Sequence, residues 1–146
     1  MKRILVCFLA LLMLAGCGSK PTASTEKDLQ AIYEEMEPYF PEMVQFSSIL
    51  MNDFLGIKEE LYVEAVVCVC SNGLQPDEVW LIKTANAENR NTLRQIAEAR
   101  LEKQKAEFQT FNTHNYPILE KAVIKTEGDY LIYIVNKDVD KLVDMF

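Results

Sequence analysis

The sequence predicts an α+β fold: a four-stranded antiparallel sheet in the order strand–strand–helix–strand–strand–helix, preceded by an N-terminal helix. Two observations lead to this prediction. Segments rich in β-branched residues occur in two pairs, and a long segment with helical periodicity separates the pairs. Two such pairs favour one antiparallel sheet with the helices packed on one of its faces. The predicted domain spans residues 26–146.

Residues 26–36 predict the N-terminal helix, because their apolar side chains recur three and four positions apart. These side chains are Leu29, Ile32, Tyr33 and Met36. Thr25 is the predicted N-cap, and the prolines that follow end the helix. A second, short helix is predicted to begin at Ser47 or Ser48 and to end at Gly56, which suits a left-handed C-terminal cap.

Residues 62–71 and 78–84 predict the first strand pair, with turn-forming Asn, Gly and Pro residues between them. The first of these segments is apolar on both faces in its middle, which predicts a central position in the sheet. The longest helix then begins at Asn86 or Asn91 and runs to about Thr113. Its predicted apolar stripe is Leu93, Ile96, Ala97, Leu101, Phe108 and Phe111.

Residues 122–126 and 130–136 predict the second strand pair. The glycine of the intervening Glu-Gly-Asp turn and the flanking β-branched residues are typical of a hairpin. Asp138 is the predicted cap of a terminal helix. The apolar side of this helix comprises Val139, Leu142, Val143 and Phe146.

The start of the chain has the plan of a secretory signal: basic residues at 2 and 3, an apolar segment over 4–14, and small residues before Cys17. The apolar segment is shorter than the roughly 20 residues that cross a bilayer. Residues 14–17, Leu-Ala-Gly-Cys, resemble the lipobox at which prolipoproteins are alkylated with diacylglycerol and cut. We therefore predict a cleaved signal peptide over residues 1–16 and lipidation of Cys17. The alternative is an ordinary signal peptide with an incidental cysteine.

Residues 17–25 are predicted to be the lipidated cysteine and a flexible tether of small, polar residues. Two acyl chains would hold the protein on the membrane, facing the extracytoplasmic side. Removal of residues 1–16 leaves 13 basic and 22 acidic residues, a net charge of −9. This charge argues against nucleic acid as a partner, because phosphates are repelled. Cations or basic segments of a partner are attracted, and simple solubility is the alternative explanation.

Cys68 and Cys70 are the two cysteines of the predicted domain. Two positions apart on a strand, they face the same side with Cβ atoms about 6.6 Å apart. A disulfide needs Cβ atoms roughly 3.5–4.5 Å apart. Two buried free thiols are therefore the preferred interpretation, and a soft-metal pair is the alternative.

The sequence predicts no catalytic residue, metal site or cofactor. His114 is the only histidine, and it lies at a predicted helix C-terminus, where it interacts favourably with the helix dipole. Residues 136–140 imitate the opening of a calcium loop, but Lys141 replaces the required glycine. The five glycines are scattered, which excludes a glycine-rich phosphate loop.

Aromatic residues and methionines are the remaining candidates for a functional surface, because such side chains anchor partners at protein interfaces. The candidate partner-binding residues are Tyr39, Phe40, Met43, Phe46, Trp80 and Tyr116. The alternative is that they cover the open face of the sheet as part of the core.

Several short segments, in their order behind a lipobox, resemble those of a known family. They are residues 40–43 (Phe-Pro-Glu-Met), 54–57 (Phe-Leu-Gly-Ile), 77–83 (Asp-Glu-Val-Trp-Leu-Ile-Lys), 99–102 (Ala-Arg-Leu-Glu), 118–123 (Ile-Leu-Glu-Lys-Ala-Val) and 127–130 (Glu-Gly-Asp-Tyr). The chain is similar from about Ala31 to Phe146 to the bacterial lipoproteins gathered as domain of unknown function 4358. The resemblance implies a lipoprotein on the outer face of a Gram-positive plasma membrane. It implies no activity and no site residues.

The sequence thus predicts a membrane-anchored extracytoplasmic lipoprotein whose domain is a non-enzymatic binding or accessory module for an envelope protein or peptide. The motivation is a lipid anchor and tether on a domain without catalytic groups. Capture of a small ligand or cation for transport or sensing is the alternative.

Overall fold

A computed structural model describes residues 26–146 of the chain. The predicted signal peptide, the lipidation site Cys17, the tether 17–25 and the predicted N-cap Thr25 all lie outside the described residues. Within residues 26–146, no helix has both the length and the apolar character needed to cross a bilayer.

The described chain confirms the α+β class and the antiparallel sheet, but the sheet has five strands rather than four. The strands are β1 (Met43–Gln45), β2 (Glu64–Cys70), β3 (Glu78–Lys83), β4 (Val123–Glu127) and β5 (Tyr130–Val135). All neighbours are antiparallel, in the order β1-β2-β3-β5-β4. The predicted central position of β2 is correct, since it lies between β1 and β3.

The additional strand β1 comes from the aromatic-rich connection after the first helix. It pairs with β2 in the register Val44↔Val69, and the ladder continues beyond it where the Phe46 amide donates to Val67 O at 2.8 Å. A three-residue edge strand is too short to show periodicity in a sequence, which explains why it was not predicted.

The helices cover both faces of the sheet, so the prediction that they pack on one face is wrong. The helices are α1 (Leu29–Met36), α2 (Ser48–Leu50, continued by a wider π-type turn over Met51–Leu55), α3 (Ala87–Phe111), α4 (Tyr116–Glu120) and α5 (Val139–Met145). α1 and α5 pack on the face that includes Val79 and Leu81, and α3 and α4 pack on the face that includes Trp80 and Ile82. The physical reason is that β3 and β5 are apolar on both sides, and each apolar face must be shielded from water.

Side-chain caps fix the starts of three helices. The Asp28 carboxylate accepts from the Ala31 amide at 3.0 Å, so Asp28 rather than Thr25 is the N-cap of α1. Ser47 caps α2 and Asn86 caps α3. For each of these helices the sequence predicts two candidate caps, and the structure has the first of the two. Gly56 ends the second helical segment with a φ of 73°, as predicted for a left-handed cap.

The C-terminal helix begins differently from the prediction. Asp138 holds the N-cap position of α5, but its side chain makes no capping hydrogen bond. Instead, its backbone amide donates to Asn136 Oδ1 at 2.8 Å. The side chain of Asn136 therefore organises this turn, and the carboxylate of Asp138 does not.

The beginning of the described chain is fixed at one end of the sheet, where β3 ends and β5 begins. Glu26 pairs with Lys83, and the Lys27 amide donates to the Tyr130 hydroxyl at 3.0 Å. The Lys27 ammonium bridges to Glu127 at 3.2 Å and also donates to the carbonyl of Phe146. We call this the tether end of the sheet, and the opposite end, where β3 begins and β5 ends, the distal end.

Truncation of one core residue on each face tests the two-faced packing. We expect Leu29→Ala in α1 and Leu93→Ala in α3 each to lower the free energy of unfolding by about 2–5 kcal/mol, since both side chains are fully buried. Urea denaturation measures the loss. Ile49→Ala, at a residue 69% exposed, is the control and should change stability by less than about 0.5 kcal/mol. A negligible effect of Leu29→Ala would contradict packing on both faces.

Candidate functional site

The sheet separates the six predicted partner-binding residues. Trp80 is fully buried in the core between the sheet and α3, where it does not reach the surface. Phe46 and Tyr116 are partly buried against that same core. Tyr39, Phe40 and Met43 pack on the opposite face, against the core under α1 and α5. The structure brings only Tyr39 and Phe40 together in a cleft.

That cleft lies at the distal end and has a volume of about 380 Å³. Its walls come from the loop after α1, the loop between β2 and β3, α4, and the turn between β5 and α5. The lining residues are Pro38, Tyr39, Phe40, Pro41, Gln75, Pro76, Asp77, Asn115, Ile118 and Lys137. We call it the Asp77 cleft. Its size is within the range of small-molecule pockets, roughly 300–1,000 Å³.

Asp77 is the buried acid of the cleft, with 7% of its surface exposed. Burial raises the pKa of this carboxyl above its ordinary value, while a hydrogen bond from Asn136 and the positive charge of Lys137 act in the opposite direction. The backbone of Asp77 is fixed as well, because its carbonyl accepts from the Cys70 amide at 3.0 Å. The side chain is therefore held in place at the start of β3.

Asn136 is the residue that holds Asp77. Its side chain is almost completely buried, and Nδ2 donates to Asp77 Oδ1 at 2.8 Å and to Tyr39 O at 3.1 Å. Asn136 Oδ1 also accepts from the backbone amide of Asp138. The side chain of Asn136 therefore connects the loop after α1, the start of β3 and the turn before α5. Asp77 Oδ2, by contrast, accepts no hydrogen bond from another residue within 26–146. Asp77 is one of the residues that line the cleft, so a ligand bound there would lie beside this carboxylate.

A second, more apolar depression adjoins the Asp77 cleft. It has a volume of about 330 Å³ and is lined by Gly73, Leu74, Glu107, Phe108, Phe111 and Asn112. We call it the Leu74 groove. Leu74 is 66% exposed and Phe111 is 86% exposed, so the predicted place of Phe111 in the core stripe of α3 is wrong. In the last turn of α3, Phe108 is buried in the core, whereas Phe111 is exposed.

The loop 73–77 is the common wall of the cleft and the groove. The side-chain amides of Asn112 and Asn115 both donate to the Leu74 carbonyl, at 2.7 Å and 2.9 Å. Gly73 and Leu74 face the groove, whereas residues 75–77 face the cleft. The cleft and the groove therefore lie on either side of this one loop at the distal end.

A buried ion pair lies behind the cleft, between β3 and α3. Glu78 is fully buried, and its carboxylate receives Arg100 Nη2 at 2.8 Å and Gln104 Nε2 at 2.9 Å. Trp80 Nε1 donates to the other carboxylate oxygen at 2.7 Å. Burial raises the pKa of Glu78, and the guanidinium opposes that shift. With both oxygens occupied by donors, Glu78 fixes α3 on the sheet and has no free oxygen to offer a substrate.

The remaining members of this network complete its hydrogen bonds. The Tyr133 hydroxyl donates to Gln104 Oε1 at 2.6 Å, and the Tyr133 ring meets the Trp80 ring edge-to-face at a centroid distance of 5.0 Å. Gln104 Nε2 also reaches the carbonyl of Pro76 at 3.4 Å. The network thus extends from the core to the wall of the Asp77 cleft.

Cys68 and Cys70 lie in the core as free thiols, as the sequence predicts. Burial raises the pKa of Cys68 to about 11, so the thiol stays protonated near neutral pH and is a poor nucleophile. Within residues 26–146, no group of three or more His, Cys, Asp or Glu residues is arranged to hold a metal ion. His114 is exposed in the turn after α3, close to its predicted position.

Five residues of this site are not among the candidates predicted from the sequence: Asp77, Asn136, Glu78, Arg100 and Gln104. The sequence contains a signal for three of them. Glu78 precedes Trp80 by two positions and so shares its buried face of β3. Arg100 and Gln104 follow Leu93 by seven and eleven positions, which places polar residues on the buried stripe of α3. Asp77 and Asn136 resemble ordinary turn residues, and only the fold brings them together.

A family model described as "Domain of unknown function (DUF4358)" matches residues 37–136. This range contains all five strands, the Glu78 network, and both Asp77 and Asn136; α1 and α5 lie outside it. No match was found among curated proteins or among solved structures.

Loss of the guanidinium alone should be more damaging than loss of the whole ion pair. We expect Arg100→Met to lower the free energy of unfolding by about 3–5 kcal/mol, because it leaves the buried Glu78 carboxylate without a counter-charge. The double variant Glu78→Gln/Arg100→Met should recover part of this loss. Urea denaturation of the wild type, both single variants and the double variant measures the coupling. If the losses of the two single variants simply add up in the double variant, Glu78 and Arg100 do not interact, which would contradict the prediction.

The raised pKa of Asp77 predicts a pH-dependent stability. The folded chain holds the Asp77 proton more tightly than the unfolded chain, so the free energy of unfolding falls as pH rises from the ordinary aspartate range through the raised pKa. Asp77→Asn removes this step and keeps an oxygen for Asn136. We therefore expect the stability of the variant relative to wild type to increase across that pH interval. Urea denaturation at a series of pH values measures it, and a difference that is independent of pH would contradict the prediction.

Proposed function

The chain belongs to the family described as Domain of unknown function (DUF4358), and we propose that it is a membrane-anchored extracytoplasmic lipoprotein whose domain binds a partner without catalysing a reaction. The anchor is diacylglycerol on Cys17, followed by a tether over residues 18–25. The partner is an envelope protein or an exported peptide, which binds at the Asp77 cleft.

The observation that carries this proposal is the position of the cleft relative to the tether. The described chain begins at the tether end, where Glu26 and Lys27 are fixed to Lys83, Tyr130 and Glu127. The Asp77 cleft lies at the distal end, beyond the first residue of β3 and the last residue of β5. Six residues of β3 separate the two ends by roughly 20 Å. A domain held through residues 18–25 would therefore present its cleft away from the bilayer.

The chemistry of the cleft favours recognition over catalysis. A general acid or base needs an oriented partner that completes the proton transfer. Asp77 is instead oriented by a neutral amide, Asn136, which is itself fixed by the Tyr39 carbonyl and the Asp138 amide. Aromatic and proline side chains form one wall, and Gln75, Asn115 and Lys137 supply polar groups around it. Such a mixture suits a rigid binding surface.

Capture of a small ligand is the second candidate, and the volume of the cleft favours it. About 380 Å³ accommodates a small molecule without a protein partner. In that case the lining residues would bind the ligand and the Leu74 groove would have no part in binding.

Site-specific photo-crosslinking in intact cells tests the proposal. We expect full-length protein with benzoylphenylalanine at Gln75, an exposed cleft residue, to give a discrete adduct with one envelope component. The same amino acid at Val63, which is 61% exposed at the tether end, is the matched control and should not give that adduct. Cys17→Ser should release the protein from the membrane fraction and weaken the adduct.

Equal adducts from positions 75 and 63 would show that the cleft is not the binding site. Retention of Cys17→Ser in the membrane fraction would contradict the lipid anchor. A thermal shift with one small ligand, without any adduct in cells, would favour the second candidate.

A further inference from the structure

The chemistry of the distal surface specifies the kind of partner, an inference that rests on the proposed function above. We propose that the partner is a polypeptide segment with a basic and an apolar residue two positions apart. The basic side chain, Lys or Arg, enters the Asp77 cleft, and the apolar side chain lies in the Leu74 groove.

The first argument is that Asp77 is a buried acid that no cationic side chain of the described residues contacts directly. It makes no salt bridge within residues 26–146, and its one side-chain hydrogen bond to another residue comes from a neutral amide. Lys137 lines the same cleft, but its ammonium lies 3.8 Å from Asp138 Oδ2 and its side chain is 73% exposed. The Coulombic attraction between a carboxylate and a cation is stronger where the carboxylate is largely removed from water. Asp77 Oδ2, which accepts no hydrogen bond from another residue within 26–146, is the atom that would accept it.

The second argument is the exposed apolar surface beside this acid. Leu74 and Phe111 are the most exposed large apolar residues of the groove, and Phe108 forms its base. The polar residues of the groove are Glu107 and Asn112, and both have partners. Glu107 Oε1 lies 4.0 Å from Lys103 Nζ, and Asn112 Nδ2 donates a hydrogen bond to the Leu74 carbonyl. An apolar side chain of a partner would bury this exposed surface.

The third argument is the short distance between the two depressions. Leu74 and Asp77 are three residues apart on one fixed loop, so their Cα atoms are at most about 11 Å apart. In an extended peptide, side chains two positions apart point to the same face about 6.6 Å from each other. The length of a Lys or Arg side chain spans the remaining distance between the groove and Asp77. One short segment can thus fill the cleft and the groove together, which a small amine cannot do.

The net negative charge of the chain also favours a basic partner. Without residues 1–16 the chain has 13 basic and 22 acidic residues, a net charge of −9. Such a surface attracts a basic segment and repels an acidic one, which raises the association rate for the partner proposed here.

Capped peptide libraries test the inference on full-length protein in detergent micelles. The first library has the pattern X-Lys-X-Leu-X, with X a mixture of residues, and the matched library has acetyl-lysine in place of lysine. We expect the lysine library to bind at least ten-fold more tightly, as measured by retention on the immobilised protein. A third library with Ser in place of Leu should bind more weakly than the first.

Three variants separate the contributions. Asp77→Asn keeps the acceptor for Asn136 and should abolish the ten-fold preference for lysine. Phe111→Ser should weaken binding of the lysine and acetyl-lysine libraries by a similar factor and leave the preference intact. Asp129→Asn, which removes the same charge at the exposed tether end, is the control and should behave like wild type. No preference for lysine, or a preference that survives Asp77→Asn, would overturn the inference.

The same variants in the cellular crosslinking experiment distinguish this inference from the proposed function. If the adduct from position 75 forms in wild type and is unchanged in Asp77→Asn, the cleft binds a partner but not through this carboxylate. If no adduct forms, the proposed function itself fails. An adduct of twice the mass of the chain would mean that a second copy occupies the surface, which would also overturn the inference.

Discussion

The buried Glu78 carboxylate is the constraint on which the distal half of the domain depends. A full charge inside the core is destabilising unless donors surround it, and here they come from α3 and from the sheet. Only one rotation and one axial position of α3 bring Arg100 and Gln104 to the same carboxylate. Apolar packing alone tolerates small slides of a helix over a sheet, so the ion pair sets the register. The hydrogen bond from Gln104 to Pro76 O then connects this register to the residue before Asp77.

The cleft follows from that arrangement in two steps. α3 is longer than the strands it covers, and its fixed register leaves the last turn beyond the sheet. There Asn112, together with Asn115 just after it, holds the loop 73–77, while Asn136 holds Asp77 from the other side. The cleft is therefore built from amide side chains that bind backbone carbonyls, and its shape depends little on side-chain flexibility.

Sequence patterns predicted the order of helices and strands well where the apolar repeats were long. The predicted segments 62–71, 78–84 and 130–136 each contain the corresponding strand, and Asn86 was correctly among the two candidate caps of α3. The errors have physical causes. β1 is too short to show a repeat, and a sheet that is apolar on both sides was assigned helices on only one. Phe111 fits the helical repeat, but the sheet ends before it, and a repeat contains no information on where the opposing surface stops.

The candidate site was much less predictable than the fold. Residue type alone indicates the aromatic candidates, and the sheet distributes them over both faces, with Trp80 in the core. Asp77 and Asn136 are 59 positions apart, and each has the appearance of a turn residue until β3 and β5 pair. A site made by two strand ends depends on register, and register is a property of the whole sheet.

The attachment of Glu26 and Lys27 to the tether end has a mechanical consequence. A pull through the residues that precede Glu26 reaches three strands together, because the contacts are to Lys83 on β3, Glu127 on β4 and Tyr130 on β5. Load shared in this way enters the sheet through three of its five strands, at contacts that precede α1 in the chain. Asn136 and the carboxyl group it holds are a full strand length away. If the domain is anchored and binds its partner as proposed, tension between the two would load these strands at the end of the sheet opposite the Asp77 cleft.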